Sequence, residues 1–242
     1  VKTVLVDQIQ PQQTEHYRLI IALGKAAAHK ARHFDPHIPQ LLTLVSIKDY
    51  PADALTSNQL SILPFEQPLA RQLDFIRFLL PDRRRIGVLL SEASSDQQPF
   101  LQRLTEQRGL DLYVEKVEQK NDIGKTLYQL DNKIDLLLAL PDPFIYNPNT
   151  LSNILLTTYH QQIPVIGFSA GAVKSGVLAA LHSSPQSIGR EAAERAIALL
   201  DGGDAMHQPP ALFSVSVNRR VAQGLHLVLP TDDQIAEQWS GQ

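Results

Sequence analysis

Gly167-Phe168-Ser169-Ala170-Gly171 has the G-x-S-x-G spacing that, in a nucleophile elbow, puts a serine on a sharp turn between a strand and a helix. Asp204 and His226 follow in the order serine, acid, histidine, so a serine hydrolase built on Ser169 is one reading of these residues. Glycine and serine are equally ordinary at strand-to-helix turns, and Asp204 sits in a Gly-Gly-Asp turn. A second set of residues points to binding. Small, polar and aromatic side chains gather where apolar runs end: Gly24 and Lys25 after 19–23, Ser91 and Glu92 after 86–90, Asp142 and Phe144 after 134–140, and Ser169 after 164–168. In open parallel sheets small molecules bind outside the carboxyl ends of the strands, where helix N-termini offer free N–H groups. Asp142 and Glu92 would supply charge there, the serines hydrogen bonds, and Phe144 and Phe168 apolar or stacking surface.

Other strings carry less. Gly124-Lys125-Thr126 has Gln119 where a phosphate-binding loop needs its first glycine, and reads as an ordinary helix start. His29, His33 and His37 recur every four residues without an H-E-x-x-H pattern and read as surface histidines, so neither a metal nor another cofactor is expected. Arg83-Arg84-Arg85 reads as a solvated turn rather than an anion site.

The elements that must position these residues alternate short apolar runs with amphipathic stretches, the pattern of an α/β fold with parallel sheets. Strands are predicted at 1–6, 19–23, 41–47, 60–63, 86–90, 110–114, 134–140, 164–168 and 212–217, and helices at 25–33, 68–80, 97–108, 123–130, 150–161, 187–200 and 219–224. Pro68 opens the second helix where its missing N–H costs nothing, and Gly109 and Gly202 mark helix ends. In 187–200 the periodicity turns Ile188, Ala192, Ala196 and Leu199 inward and Arg190, Glu191, Glu194 and Arg195 to solvent.

Composition narrows the function. With 242 residues the chain has room for one large or two small lobes. Lys plus Arg number 22 and Asp plus Glu 25, a net charge of −3 that argues against a nucleic-acid partner bound through a basic surface. The absence of cysteine excludes disulfides, Cys-ligated zinc, iron–sulfur clusters and thiol nucleophiles. No apolar stretch approaches the roughly 20 residues of a membrane span.

Several segments, in order, resemble the ABC-transporter substrate-binding proteins related to the tryptophan/tyrosine-binding lipoproteins. They are Leu19-Ile20-Ile21-Ala22-Leu23-Gly24, Gln67-Pro68-Leu69-Ala70-Arg71-Gln72-Leu73, Arg85-Ile86-Gly87-Val88-Leu89, Leu138-Ala139-Leu140-Pro141-Asp142-Pro143, Ile163-Pro164-Val165-Ile166-Gly167-Phe168-Ser169, Ile188-Gly189-Arg190 and Val217-Asn218-Arg219-Arg220-Val221-Ala222. The resemblance implies a periplasmic-binding-protein type I fold: two Rossmann-like lobes, 1–84 with 183–242 and 85–182, closing on a small molecule that is passed to a membrane permease. It also implies an extracytoplasmic protein, lipid-anchored in its full-length form, without enzymatic activity. Ser169 then becomes a cleft residue, Gln67 joins the binding set, Ser91–Ser95 contact the ligand, and Asp142 pairs with a ligand ammonium. Two departures stand out. Residues 1–7 resemble a segment that relatives place after an initial strand and helix, so the first lobe is expected to lack both. Glu92 stands in a loop expected to meet a ligand carboxylate, which leaves cationic and neutral solutes open beside amino acids.

Overall fold

The structure, a computed structural model, describes residues 2–10, 16–50 and 57–239. Its elements run β1 (Ile20–Leu23), α1 (Lys25–Ala31), β2 (Gln40–Val45), β3 (Leu60–Pro64), α2 (Leu69–Leu79), β4 (Arg85–Leu90), α3 (Gln98–Glu106), β5 (Asp111–Lys116), α4 (Ile123–Leu130), β6 (Leu136–Leu138), α5 (Leu151–His160), β7 (Val165–Gly167), α6 (Ala170–Lys174), β8 (Ala179–His182), α7 (Pro185–Leu200), β9 (Ser214–Val217), α8 (Arg219–Gly224) and α9 (Asp232–Trp239). They fall into two compact units. One holds the described residues up to Gln67 with Ser183–Phe213, the other Pro68–His182 with the described residues from Ser214. The chain passes between units after 67, 182 and 213.

The first unit is a parallel sheet in the order β1-β2-β3. Alternation gives each strand two apolar faces. Ala22, Leu42 and Ile62 pack with Ala28 and Ala31 of α1, while Leu41 and Leu63 pack with Ile188, Ala192, Ala196 and Leu199 of α7. Glu191 and Arg195, expected on the solvent side of α7, are instead buried. Arg195 Nη2 donates to Glu191 Oε1 at 2.6 Å and to Gln208 O, its Nη1 donates to Ile62 O, and Glu191 Oε2 accepts from the Ala211 N–H at 3.0 Å. Periodicity alone puts the two on the polar face; the returning segment 206–212, which covers that face and caps the outer edge of β3 through Ile62 N–H to Met206 O, buries them.

The second unit is a six-stranded sheet in the order β5-β4-β6-β7-β8-β9, parallel except for β9, which runs antiparallel to β8. In chain order its first five strands read 2-1-3-4-5, a doubly wound arrangement whose direction of winding reverses between β4 and β6. Leu89, Leu137 and Val165 meet Ile123, Leu127 and Leu130 of α4 and Ile154 of α5 in its core. Gly87 in β4 lies close under a side chain: a Cβ there would be 2.5 Å from Ile134 Cδ1, so Ile134 would have to shift to admit one.

Three expectations change. Residues 2–5 form no strand and Val6–Gln8 is a single 3-10 turn; Val1 lies outside the described residues. β8 and α9 are additional to the expected elements, although Val177, Leu178, Ala179, Ala180 and Leu181 form an apolar run. Residues 68–84 and 214–239, expected with the first lobe, make their contacts in the second unit, because β9 pairs with β8, Asp74 of α2 binds Arg108, and Phe75 packs edge-on against Trp239 at 5.2 Å.

The buried pair in α7 gives a stability test. Glu191→Ala leaves the Arg195 charge without its carboxylate and is expected to destabilise the protein by about 3–5 kcal/mol, read as a lower urea midpoint. A change within about 0.5 kcal/mol would show that the carbonyls around Arg195 suffice.

Candidate functional site

In the second unit β4 and β6 are neighbours whose carboxyl ends flank the reversal of winding, where open α/β sheets form a crevice. β4 ends at Leu90. Ser91 then caps a 3-10 turn, Glu92–Gln97, with Ser94 in a reciprocal capping box, and this turn feeds α3. Across the reversal, β6 runs into Pro141 and Asp142.

Asp142 joins the two ends. Its Oδ2 accepts from the Ser91 hydroxyl at 2.7 Å, the Ser94 hydroxyl at 2.6 Å and the Ser91 N–H at 3.3 Å, while Oδ1 accepts from the N–H groups of Phe144 at 2.9 Å and Ile145 at 3.3 Å. The residue is 2% exposed. Burial pushes its pKa up, but the hydroxyls of Ser94 and Ser91 and the N–H groups of Phe144 and Ile145 outweigh burial and hold it below the usual aspartate value. Both oxygens are therefore engaged inside the unit. Five internal donors thus converge on the residue that the sequence reading pairs with a ligand ammonium, and they fix its position at the end of β6.

Around this knot, Glu92 is exposed, and Ser95 is half-buried with its hydroxyl donating to Glu92 O at 2.9 Å. The half-buried Phe144 carries the Lys120 ammonium 5.4 Å above its ring. Phe168, following β7, meets Tyr146 edge-on at 6.4 Å. Tyr146 is outside the set expected from the sequence. Its hydroxyl is buried without a partner among the described residues, and burial, then the Asp142 charge, raises its pKa well above the usual tyrosine value.

Ser169 caps α6: its Oγ accepts from the Ala172 N–H at 3.2 Å, and its backbone is extended at φ −152°, ψ 150°. Asp204 is exposed and belongs to the first unit, and His226 is exposed in the second. Among the described residues no histidine hydrogen-bonds to Ser169.

The remaining expected residues lie in the first unit. Gly24, at φ +83°, makes the turn from β1 into α1 and donates its N–H to Thr43 O at 2.8 Å. Lys25 forms an exposed ion pair with Asp49 at 3.1 Å. Gln67 is buried, and its Nε2 donates to Ser183 Oγ at 2.6 Å, tying together the first unit's ends at two of the chain crossings. Among the described residues no helix is long and apolar enough to cross a membrane.

Comparison with known proteins gives a consistent picture. The model of a family described as ABC transporter substrate binding protein matches residues 3–232. A tyrosine-binding protein of Clostridioides difficile (strain R20291) is 25% identical over 198 residues, covering 76% of this chain and 55% of that protein, so the chain spans about half the length of this curated relative. A ligand-free, open structure of a substrate-binding protein with adhesive properties from Clostridium difficile superposes with a TM-score of 0.77 at 21% identity, over 91% of this chain and 77% of that one. An ABC domain from Streptococcus pneumonia in complex with L-Trp gives a TM-score of 0.66 at 17% identity, over 94% and 81%. The fold is that of the type I periplasmic binding proteins.

Asp142→Ala is expected to lower stability by roughly 1–3 kcal/mol for each buried donor left without an acceptor, measurable by urea unfolding. Because the native pKa is depressed, the charge contributes stability above the ordinary aspartate pKa of about 3.9 and loses it as pH falls through the lower native value. The stability gap between wild type and Asp142→Asn is therefore expected to be full at neutral pH and to close in acid. A pH-independent gap would remove the charge from the account.

Proposed function

Because the chain belongs to the ABC transporter substrate-binding protein family, we propose that it is the extracytoplasmic solute-binding component of an ABC importer, lipid-anchored in its full-length form, which delivers a small molecule to a membrane permease. The ligand class is an amino acid or another amine, a reading supported by the tyrosine-binding relative and the L-Trp complex. The structural observation that carries the proposal is the Asp142 knot. It makes the turn after β4 and the end of β6 a rigid shell at the position where doubly wound sheets hold ligands. Its exposed rim, Glu92 with Ser95 beside it, and the aromatic rings of Phe144 and Phe168 are the groups offered to a solute from this unit.

Solute binding needs no reacting group, and the local geometry of Ser169 gives a hydrolase little to work with. A nucleophile elbow holds its serine in a strained turn with the hydroxyl presented to a histidine. Here the backbone is relaxed and the hydroxyl oxygen serves as a helix cap. Both readings are testable on one preparation. A thermal-shift screen against tyrosine, tryptophan, other amino acids, simple amines, nucleosides and sugars is expected to give a hit; a ligand at a hundred times its Kd adds about 2.7 kcal/mol, and a shift of roughly 5–10 °C results for a chain of this size. A fluorophosphonate probe is expected to leave Ser169 unlabelled. Silence across the screen together with labelling abolished by Ser169→Ala would overturn the binding reading in favour of the hydrolase.

A further inference from the structure

The carboxyl end of the first unit's sheet contains two buried polar atoms that nothing among the described residues satisfies. Thr43, the residue of β2 paired with Leu63, is 1% exposed and its Oγ1 has no partner. Glu66 follows β3, is half-buried, and its Oε2 is enclosed and unpartnered as well. The two strand ends are adjacent: Val45 pairs with Pro64, and the Phe65 N–H donates to Val45 O at 3.2 Å. Native interiors satisfy nearly all such atoms, so two orphans on neighbouring strand ends need a reason.

The backbone between them is also unusual. Leu44 sits at φ +56°, the left-handed region that a branched side chain rarely adopts, at a bulge between Thr43 and Val45. Bulges re-aim side chains, and strain of this kind gathers at sites that bind. Here it leaves Leu44 41% exposed, with Phe65 39% exposed on the next strand end. Large apolar side chains and an enclosed carboxylate oxygen thus share one edge, and it is the edge at which parallel sheets meet ligands.

We propose that this edge recognises an organic cation: the carboxylate of the half-buried Glu66 turns to pair with the ligand's ammonium group, with Leu44 and Phe65 covering its apolar portion. The assignment rests on the solute-binding reading above and narrows it to solutes that carry a positive charge on an apolar or aromatic body. The charged neighbours of Glu66 are Lys48, which favours its ionised form, and Asp49, which opposes it; the Ser46 hydroxyl also favours the ionised form, but burial dominates and raises the Glu66 pKa above the usual glutamate value.

The test compares wild type with Glu66→Gln by calorimetric titration of tyramine, tryptamine and the amine-free control 3-(4-hydroxyphenyl)propionate, with unfolding of the unliganded proteins followed in parallel. Wild type is expected to bind the two amines and not the propionate. Glu66→Gln is expected to weaken the amines by about ten- to a hundredfold, the loss of one charged hydrogen bond, while its unliganded Tm at pH 7 stays level or rises, because the amide buries no charge. A structural glutamate would show the opposite, a lower Tm with unchanged affinity. Should the variant fail to fold, wild-type affinity for tryptamine is expected to fall as pH drops through the raised Glu66 pKa; a flat profile overturns the proposal. So do equal amine affinities in the two proteins, or wild-type binding confined to sugars, nucleosides or the propionate, an outcome that leaves the solute-binding reading standing. Absence of binding to any solute overturns both.

Discussion

A single carboxylate accepting five hydrogen bonds fixes the geometry on which the second unit's site depends. Asp142 is 51 residues from Ser91, and only the side-by-side pairing of β4 and β6 brings them together. At a reversal of winding the helices that follow neighbouring strands leave toward opposite faces, so nothing in the backbone ladder holds the two strand ends to one another beyond their last paired residues. The two hydroxyls and three N–H groups that converge on Asp142 provide that link. They also orient the chain as it leaves β6: the Ile145 carbonyl accepts from Thr150 Oγ1 and so aligns the start of α5, while Tyr146 is carried under Phe168.

Much of this frame was legible in the chain. Apolar runs bounded by Pro68, Gly109 and Gly202 point to the parallel strands and the helices between them, since burial on both faces and helix termination are local properties. What escaped were properties set by distant partners. β8 is apolar enough to be a strand, yet it follows a five-residue helix too short to announce itself by periodicity. Residues 2–5 have strand-forming composition and no strand partner among the described residues. Glu191 and Arg195 look like solvent-facing charges until the segment 206–212 returns over them.

The site shows the same division. Polar residues at strand ends were visible as residue types, but their free lone pairs were not. Both oxygens of Asp142, the obvious acceptor for a ligand ammonium, are engaged inside the unit, whereas Glu66, hidden beside the more conspicuous Gln67, keeps an enclosed oxygen without a partner. The two carboxyls stand in opposed environments. Hydroxyls and N–H groups hold the Asp142 pKa down in spite of burial, while burial holds the Glu66 pKa up. A carboxylate with both oxygens engaged inside its unit builds the scaffold, whereas Glu66 keeps one oxygen without a partner.

Backbone strain separates the candidate chemistries in the same way. A nucleophilic serine would require strain at Ser169, where the backbone is extended and the side chain caps a helix. Among the described residues the left-handed non-glycine positions are Leu44, Asn132, Gln162 and His226, and of these Leu44 lies beside the orphaned Thr43 hydroxyl and one strand away from Glu66. Strained conformations persist only where surrounding structure over-determines them. In this unit the determinants are the paired interiors of β2 and β3, buried residue by residue from Gln40 to Thr43 and from Leu60 to Pro64. The stable interior of the sheet thus sustains at its carboxyl end an arrangement that costs free energy in the unliganded protein, and an ammonium on an apolar body is the ligand whose binding would offset that cost.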